Sequence, residues 1–163
     1  VKQDYAEAEQ WIRRAADQGN ANAQYNLGVL YANGLGIRQD ASKARHWYHR
    51  AAEQNHLGAQ FNLAHMHEHG TGIPQDLREA FRWYDRAARQ GAADAQANLG
   101  LMYLQGRGVE KDPVIAYAWL SVAAAQKNSN AMNNKNFVYR SLSQAGKQQA
   151  EQIAEEFRAK YVR

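Results

Sequence analysis

The sequence contains no cysteine, which excludes disulfides, thiolate zinc sites, iron–sulfur clusters and thiol nucleophiles. Proline is almost absent, with two residues, whereas alanine occurs thirty times; the worst helix former is scarce and the best abundant, so helix is expected and strand-rich folds are not. No apolar run approaches the roughly 20 residues of a membrane-spanning helix. With a mean hydropathy of −0.75 and 45% hydrophobic residues, a soluble globular chain without membrane insertion is expected. A run of adjacent cations is also missing. The net charge of +4 comes mostly from residues 128–163, which hold 6 Lys+Arg against 3 Asp+Glu, while residues 1–127 hold 14 against 13. Such mixed signs give no clustered basic face, and no nucleic-acid partner is expected. The 163 residues suffice for one domain or a short stack of repeats, read here as a single repeat domain over 1–163. No signal peptide is read, and because Val1 is not an initiator methionine the natural N-terminus is expected upstream.

What is present is a period. The four tryptophans Trp11, Trp47, Trp83 and Trp119 are each 36 residues apart, the mark of a repeat array. Behind each lies an alanine pair, Ala15–Ala16, Ala51–Ala52, Ala87–Ala88 and Ala123–Ala124, and ahead of each an aspartate, Asp4, Asp40, Asp76 or Asp112. Ala44, Trp47 and Ala51 stand at i, i+3 and i+7, one face of a helix. The aspartates suit helix N-caps, Glu7 and Glu79 complete capping boxes with Asp4 and Asp76, and Pro113 suits the first helical position. A second block runs through Ala23, Leu27, Gly28 and Tyr31, then Ala59, Leu63, Ala64 and His67, then Ala95, Leu99, Gly100 and Tyr103. Gly34, Gly70 and Gly106 follow it as left-handed C-caps. Each repeat is therefore read as an inner helix (21–33 in the first), a glycine loop, and an outer helix (40–54). Small residues at Gly28, Ala64 and Gly100 permit close helix approach, tryptophans and tyrosines fill the layers, and Ile37, Ile73 and Val109 plug the loops onto the core.

This pattern resembles the Sel1-like repeat, a cousin of the tetratricopeptide repeat, through the stretch QYNLGVLYANGLGIRQDASKARHWYHRAAEQN ending at Asn55 and its two echoes. The resemblance implies an all-α, right-handed superhelical solenoid that scaffolds protein partners without catalysis, in a bacterial periplasmic or secreted setting; members with a cysteine pair in each repeat are excluded. The expected division is a leading outer helix at 4–19, full repeats at 21–55, 57–91 and 93–127, a degenerate inner helix at 128–142, and a capping helix at 143–163. The array stops where Lys135 and Asn136 replace the leucine and the small residue of earlier copies. Ser143 then opens a helix with an apolar stripe of Ala150, Ile153, Ala154, Phe157 and Tyr161, the end cover that a solenoid needs.

Chemistry-bearing constellations are few. All six histidines, His46, His49, His56, His65, His67 and His69, lie between 46 and 69. His65 and His69 have the i, i+4 spacing that lets two imidazoles meet one metal, and Glu68 adds an oxygen. A metal-binding module or metal-dependent enzyme is thus one reading. Packing and surface histidines are the other: His67 takes the register of Tyr31 and Tyr103, and no HExxH motif is present. The paired loop glycines lack the third glycine and preceding strand of a phosphate loop. No catalytic residue and no cofactor is expected.

The inner-helix face turned away from the stack remains. It carries Asn22, Tyr25, Asn26, Val29 and Asn33, then Gly58, Phe61, Asn62, His65 and His69, then Asp94, Ala97, Asn98, Leu101 and Gln105. In a solenoid these positions line the concave groove, roughly 30–40 Å long and suited to about ten extended residues of a protein or peptide partner. Asn26, Asn62, Asn98 and Asn134 form a ladder of one amide per repeat, suited equally to a partner's backbone or to the stack itself. Tyr25, Phe61, His65 and Leu101 differ among copies and are candidates for specificity, since aromatic and apolar anchors carry most interface energy. Self-association through the leading outer helix is a third reading, because its inner partner is missing from the sequence.

Overall fold

The computed structural model describes residues 2–162, with side chains from residue 8 onward. Among the described residues it is all helix: α1 (Lys2–Asp17), α2 (Ala21–Asn33), α3 (Ala41–Glu53), α4 (Leu57–His69), α5 (Leu77–Arg89), α6 (Ala93–Gln105), α7 (Pro113–Ala125), α8 (Ser129–Ser141) and α9 (Gln144–Tyr161). The chain divides into two compact units, 1–76 and 77–163.

The helix ends lie where the capping residues place them. Asp40 accepts from the Lys43 N–H at 2.9 Å, and Asp112 accepts from the Val114 and Ile115 N–H groups at 2.9 and 3.0 Å, with Pro113 opening α7. Ser143 caps α9 by accepting from Gly146 at 3.1 Å. The capping box of Asp4 and Glu7 lies outside the residues whose side chains are described. Gly34, Gly70 and Gly106 close α2, α4 and α6 at φ of 67°, 65° and 70°, the left-handed region that a Cβ makes costly. Each following loop returns by the same bond: the N–H of Asp40, Asp76 and Asp112 donates to the carbonyl of Tyr31, His67 and Tyr103 at 2.9–3.0 Å.

In the first unit α1 packs on α2, α2 on α3 and α3 on α4. Leu27, Ala44, Ala51, Ala52, Leu63 and Ala64 are fully buried, with Trp47 and Tyr48 beside them. A Cβ at Gly28 would stand 2.5 Å from the Tyr48 ring, so the absence of a side chain there lets α2 meet α3. Trp11 departs from the expectation that every tryptophan fills a layer. It is 63% exposed, with Arg14 over its ring at 5.2 Å, because among the described residues α1 packs on one neighbour, α2.

In the second unit α5 packs on α6, α6 on α7, and α7 on both α8 and α9. The C-terminal stripe is buried as its spacing predicts: Ala150, Ala154 and Tyr161 are covered, Ile153 and Phe157 half-covered. Trp119 lies against Phe157 and Tyr161 at 4.8 and 5.1 Å between ring centres.

The spacing of apolar residues does not single out Gln24, Gln60 and Gln96, yet all three are buried. Their Nε2 groups donate to the Ala16, Ala52 and Ala88 carbonyls at 3.0, 3.1 and 3.0 Å. The last carbonyls of a helix lack partners within it, and here each glutamine serves the outer helix that precedes it. The oxygens of Gln24 and Gln96 are served in turn: Gln54 donates to Gln24 and Gln126 to Gln96, both at 2.7 Å. The signal in the sequence is recurrence itself, one glutamine every 36 residues inside an otherwise apolar register.

Candidate functional site

The first unit holds a cavity of about 570 Å³ that gathers Asn33, Asn62 and His65 of the inner helices. Met66 and Ala32 add apolar wall, α3 adds Ala41 and Tyr48, and the loops contribute Gln39, Thr71 and Gly72. The Gly72 backbone, at φ 68°, comes so close to α3 that a Cβ would stand 2.3 Å from that of Ala41. Tyr48 is 3% exposed. Burial pushes its phenol above the ordinary tyrosine range, and a hydrogen bond from Asn62 opposes that shift. Asn62 is half-buried, whereas Asn26, one repeat earlier, is exposed; Asn134 donates to the carbonyl of Asn130 at 2.8 Å.

The other candidates divide by burial. Asn22, Asn26, Asn33, His65, His69, Asp94 and Gln105 are exposed, and Val29, Asn98 and Leu101 are half-buried. Asp94 already accepts from Asn128 at 2.8 Å. The register of Tyr25 leans into the stack: Tyr25 lies over His56 with ring centres 4.5 Å apart, Phe61 is half-buried, and Ala97 is buried. Of the four specificity candidates, His65 is the one that is exposed and lines the cavity.

His65 and His69 stack with ring centres 4.2 Å apart, and the His69 ring nitrogen Nδ1 lies 3.1 Å from the His65 carbonyl. Desolvation first, then the charge on His69, lowers the His65 pKa; Glu68 opposes both. Among the described residues no group of three or more His, Asp and Glu side chains is placed to share a metal ion. His46 instead stands edge-on to Trp47 at 5.2 Å. His56 has a separate task. It is the N-cap of α4, its Nδ1 accepting from the Ala59 N–H at 3.1 Å, at the register held by asparagine in Asn20 and Asn128.

That cap requires a neutral ring. Burial lowers the His56 pKa below the ordinary 6.5, so the unfolded chain takes up the proton first. Stability from His56 and His65 is therefore fully present above pH 6.5 and lost as the pH falls toward their folded values. The thermal midpoint is expected to drop between pH 7.5 and 5.5 in a scanning-calorimetry series. His56→Asn, which keeps an accepting cap without a titration, should flatten that slope; an unchanged slope would remove His56 as its source.

The Sel1 repeat model matches residues 1–20, 21–56, 58–91 and 93–128. The chain belongs to the Sel1 repeat family. The matched segments coincide with the helix pairs α2–α3, α4–α5 and α6–α7, preceded by α1. A Sel1 repeat protein from Oxalobacter formigenes is 35% identical, with a TM-score of 0.78 over 94% of this chain and 64% of that one. A protective antigen of uropathogenic Escherichia coli strains, displaying an SLR fold, is 30% identical, with a TM-score of 0.65 over 96% of this chain and 42% of that one. This chain thus spans less than two thirds of either. Cysteine-rich protein B of Helicobacter pylori, at 23% identity and a TM-score of 0.63 over 82% of this chain and 96% of that one, shares the fold. Comparison with curated protein sequences gives no match. The fold class is therefore the all-α Sel1-like solenoid with a C-terminal covering helix. Sel1 repeats serve in general as protein-interaction modules, and proteins of this fold are typically non-enzymatic scaffolds.

Proposed function

We propose that this chain is a non-catalytic interaction module whose inner helices receive a partner peptide, with the first-unit cavity at Asn33, Asn62 and His65 as its main recognition point. One observation carries this reading: the structure joins into a single 570 Å³ cavity three residues whose register faces away from the stack. A cavity of this size with a few convergent polar groups is the usual form of a recognition pocket. The amides of Asn33 and Asn62 suit a peptide backbone, Met66 and Ala32 an apolar side chain, and His65 a group that distinguishes partners. On α6 in the second unit, Asn98, Leu101 and Gln105 offer the same register.

The test is a selection of displayed random peptides on the intact chain, followed by affinity measurement on variants. His65→Ala and Asn33→Ala are each expected to cost a selected peptide about 1–3 kcal/mol, roughly 5- to 150-fold in affinity. Arg50→Ala and Arg86→Ala, on the outer helices, should leave it unchanged. Peptides that bind both inner-helix variants at full strength and are lost on the outer-helix variants would overturn the reading.

A further inference from the structure

The helix α8 carries the inner-helix register with altered chemistry. Positions held by buried Gln96, Leu99 and Gly100 in α6 are Met132, Lys135 and Asn136 one period later. Met132 is 50% exposed and Lys135 half-buried, and the three wall a cavity of about 230 Å³. Ser121 and the Ala124–Ala125 pair of α7 form its other wall, and Arg158 reaches in from α9.

One polar group at this cavity is buried and unsatisfied, and its two cations have no ion-pair partner among the described residues. Ser121 is 2% exposed, and its hydroxyl has no hydrogen-bond partner among the described residues. A buried hydroxyl left alone costs about 1–3 kcal/mol, and such groups are ordinarily paired. Neither the Lys135 ammonium nor the Arg158 guanidinium forms an ion pair with any described residue. Two unpaired cations, an amide and the residue that carries the buried hydroxyl thus line one space, and the cations belong to the segment that carries three of the four excess positive charges.

We propose that this cavity binds a carboxylate presented on a short apolar stem, as in an acidic side chain or the C-terminus of a peptide. Guanidinium and carboxylate match as planar partners, the ammonium adds a second cation, and Ser121 and Asn136 donate to the remaining lone pairs. Met132 and the alanine pair take the stem, which inorganic phosphate lacks. The site lies wholly in the second unit, and it stands whether or not the first-unit cavity receives a peptide.

The experiment titrates the whole chain with four probes, following the Ser121 amide and Arg158 side-chain resonances. The probes are acetyl-Ala-Leu-Glu-amide, acetyl-Ala-Leu-Gln with a free C-terminus, the fully neutral acetyl-Ala-Leu-Gln-amide, and inorganic phosphate. A carboxylate peptide is expected to move these resonances saturably and the neutral peptide not to; the first two probes distinguish side chain from terminus. Lys135→Gln and Arg158→Gln should each weaken that binding about tenfold, and Lys111→Gln should not. Ser121→Ala, which removes an unpaired buried hydroxyl and so leaves the fold intact, should weaken it severalfold. The proposal fails if the neutral peptide binds as well, if phosphate binds more tightly than both carboxylates, or if neither carboxylate binds up to about 10 mM.

Discussion

Gln96→Leu is expected to destabilise the protein by about 2–4 kcal/mol in urea titration, although leucine has nearly the same volume and is more apolar. Gln96 is fully buried and takes part in three hydrogen bonds. It donates to the Ala88 carbonyl at 3.0 Å and to the Tyr161 carbonyl at 3.1 Å, and accepts from Gln126 at 2.7 Å. The Ala88 carbonyl keeps a second donor, the Gly91 N–H at 3.0 Å. Among the described residues the carbonyl of the buried residue Tyr161 has no second donor, so the desolvation penalty falls chiefly at the end of α9. Amide exchange should accordingly quicken in α9 more than in α5. A cost under 1 kcal/mol would show that apolar packing, not the amide, holds this position.

Truncating Trp119 to alanine should cost about 3–5 kcal/mol, the range of a buried aromatic removed from a core. Its ring is 2% exposed and lies between α7 and the Phe157 and Tyr161 rings. Trp11, three periods earlier, is 63% exposed, and Trp11→Ala should change stability by about 0.5 kcal/mol or less. The same substitution at the same register thus separates by several kcal/mol, and equal costs would contradict the placement of either ring.

The helix boundaries were legible because capping is local chemistry. An aspartate, a proline or a left-handed glycine acts on backbone groups within four residues, so the spans expected at 21–33 and 40–54 agree with Ala21–Asn33 and Ala41–Glu53 to within one residue at each end. The covering helix was legible for a related reason: its apolar stripe at Ala150, Ile153, Ala154, Phe157 and Tyr161 has helical spacing and must be buried. The candidate site was less so. Spacing places Asn26, Asn62 and Asn98 in one register, yet Asn26 is exposed while Asn62 is half-buried beside Tyr48 in the wall of the first-unit cavity.

The sequence by itself determined the period, the helix pairs, their caps and the family, since each depends on residues near one another along the chain. Only the tertiary structure decided which polar residues hold the stack and which face open space. Gln24, Gln60 and Gln96 can be buried because the preceding helix ends bring carbonyls within reach of their amides. Ser121, Lys135 and Arg158 meet around one cavity because α9 packs on α7 and brings Arg158 to α8. These are relations between helices, set by which neighbour each one meets, and no spacing within a single helix records them.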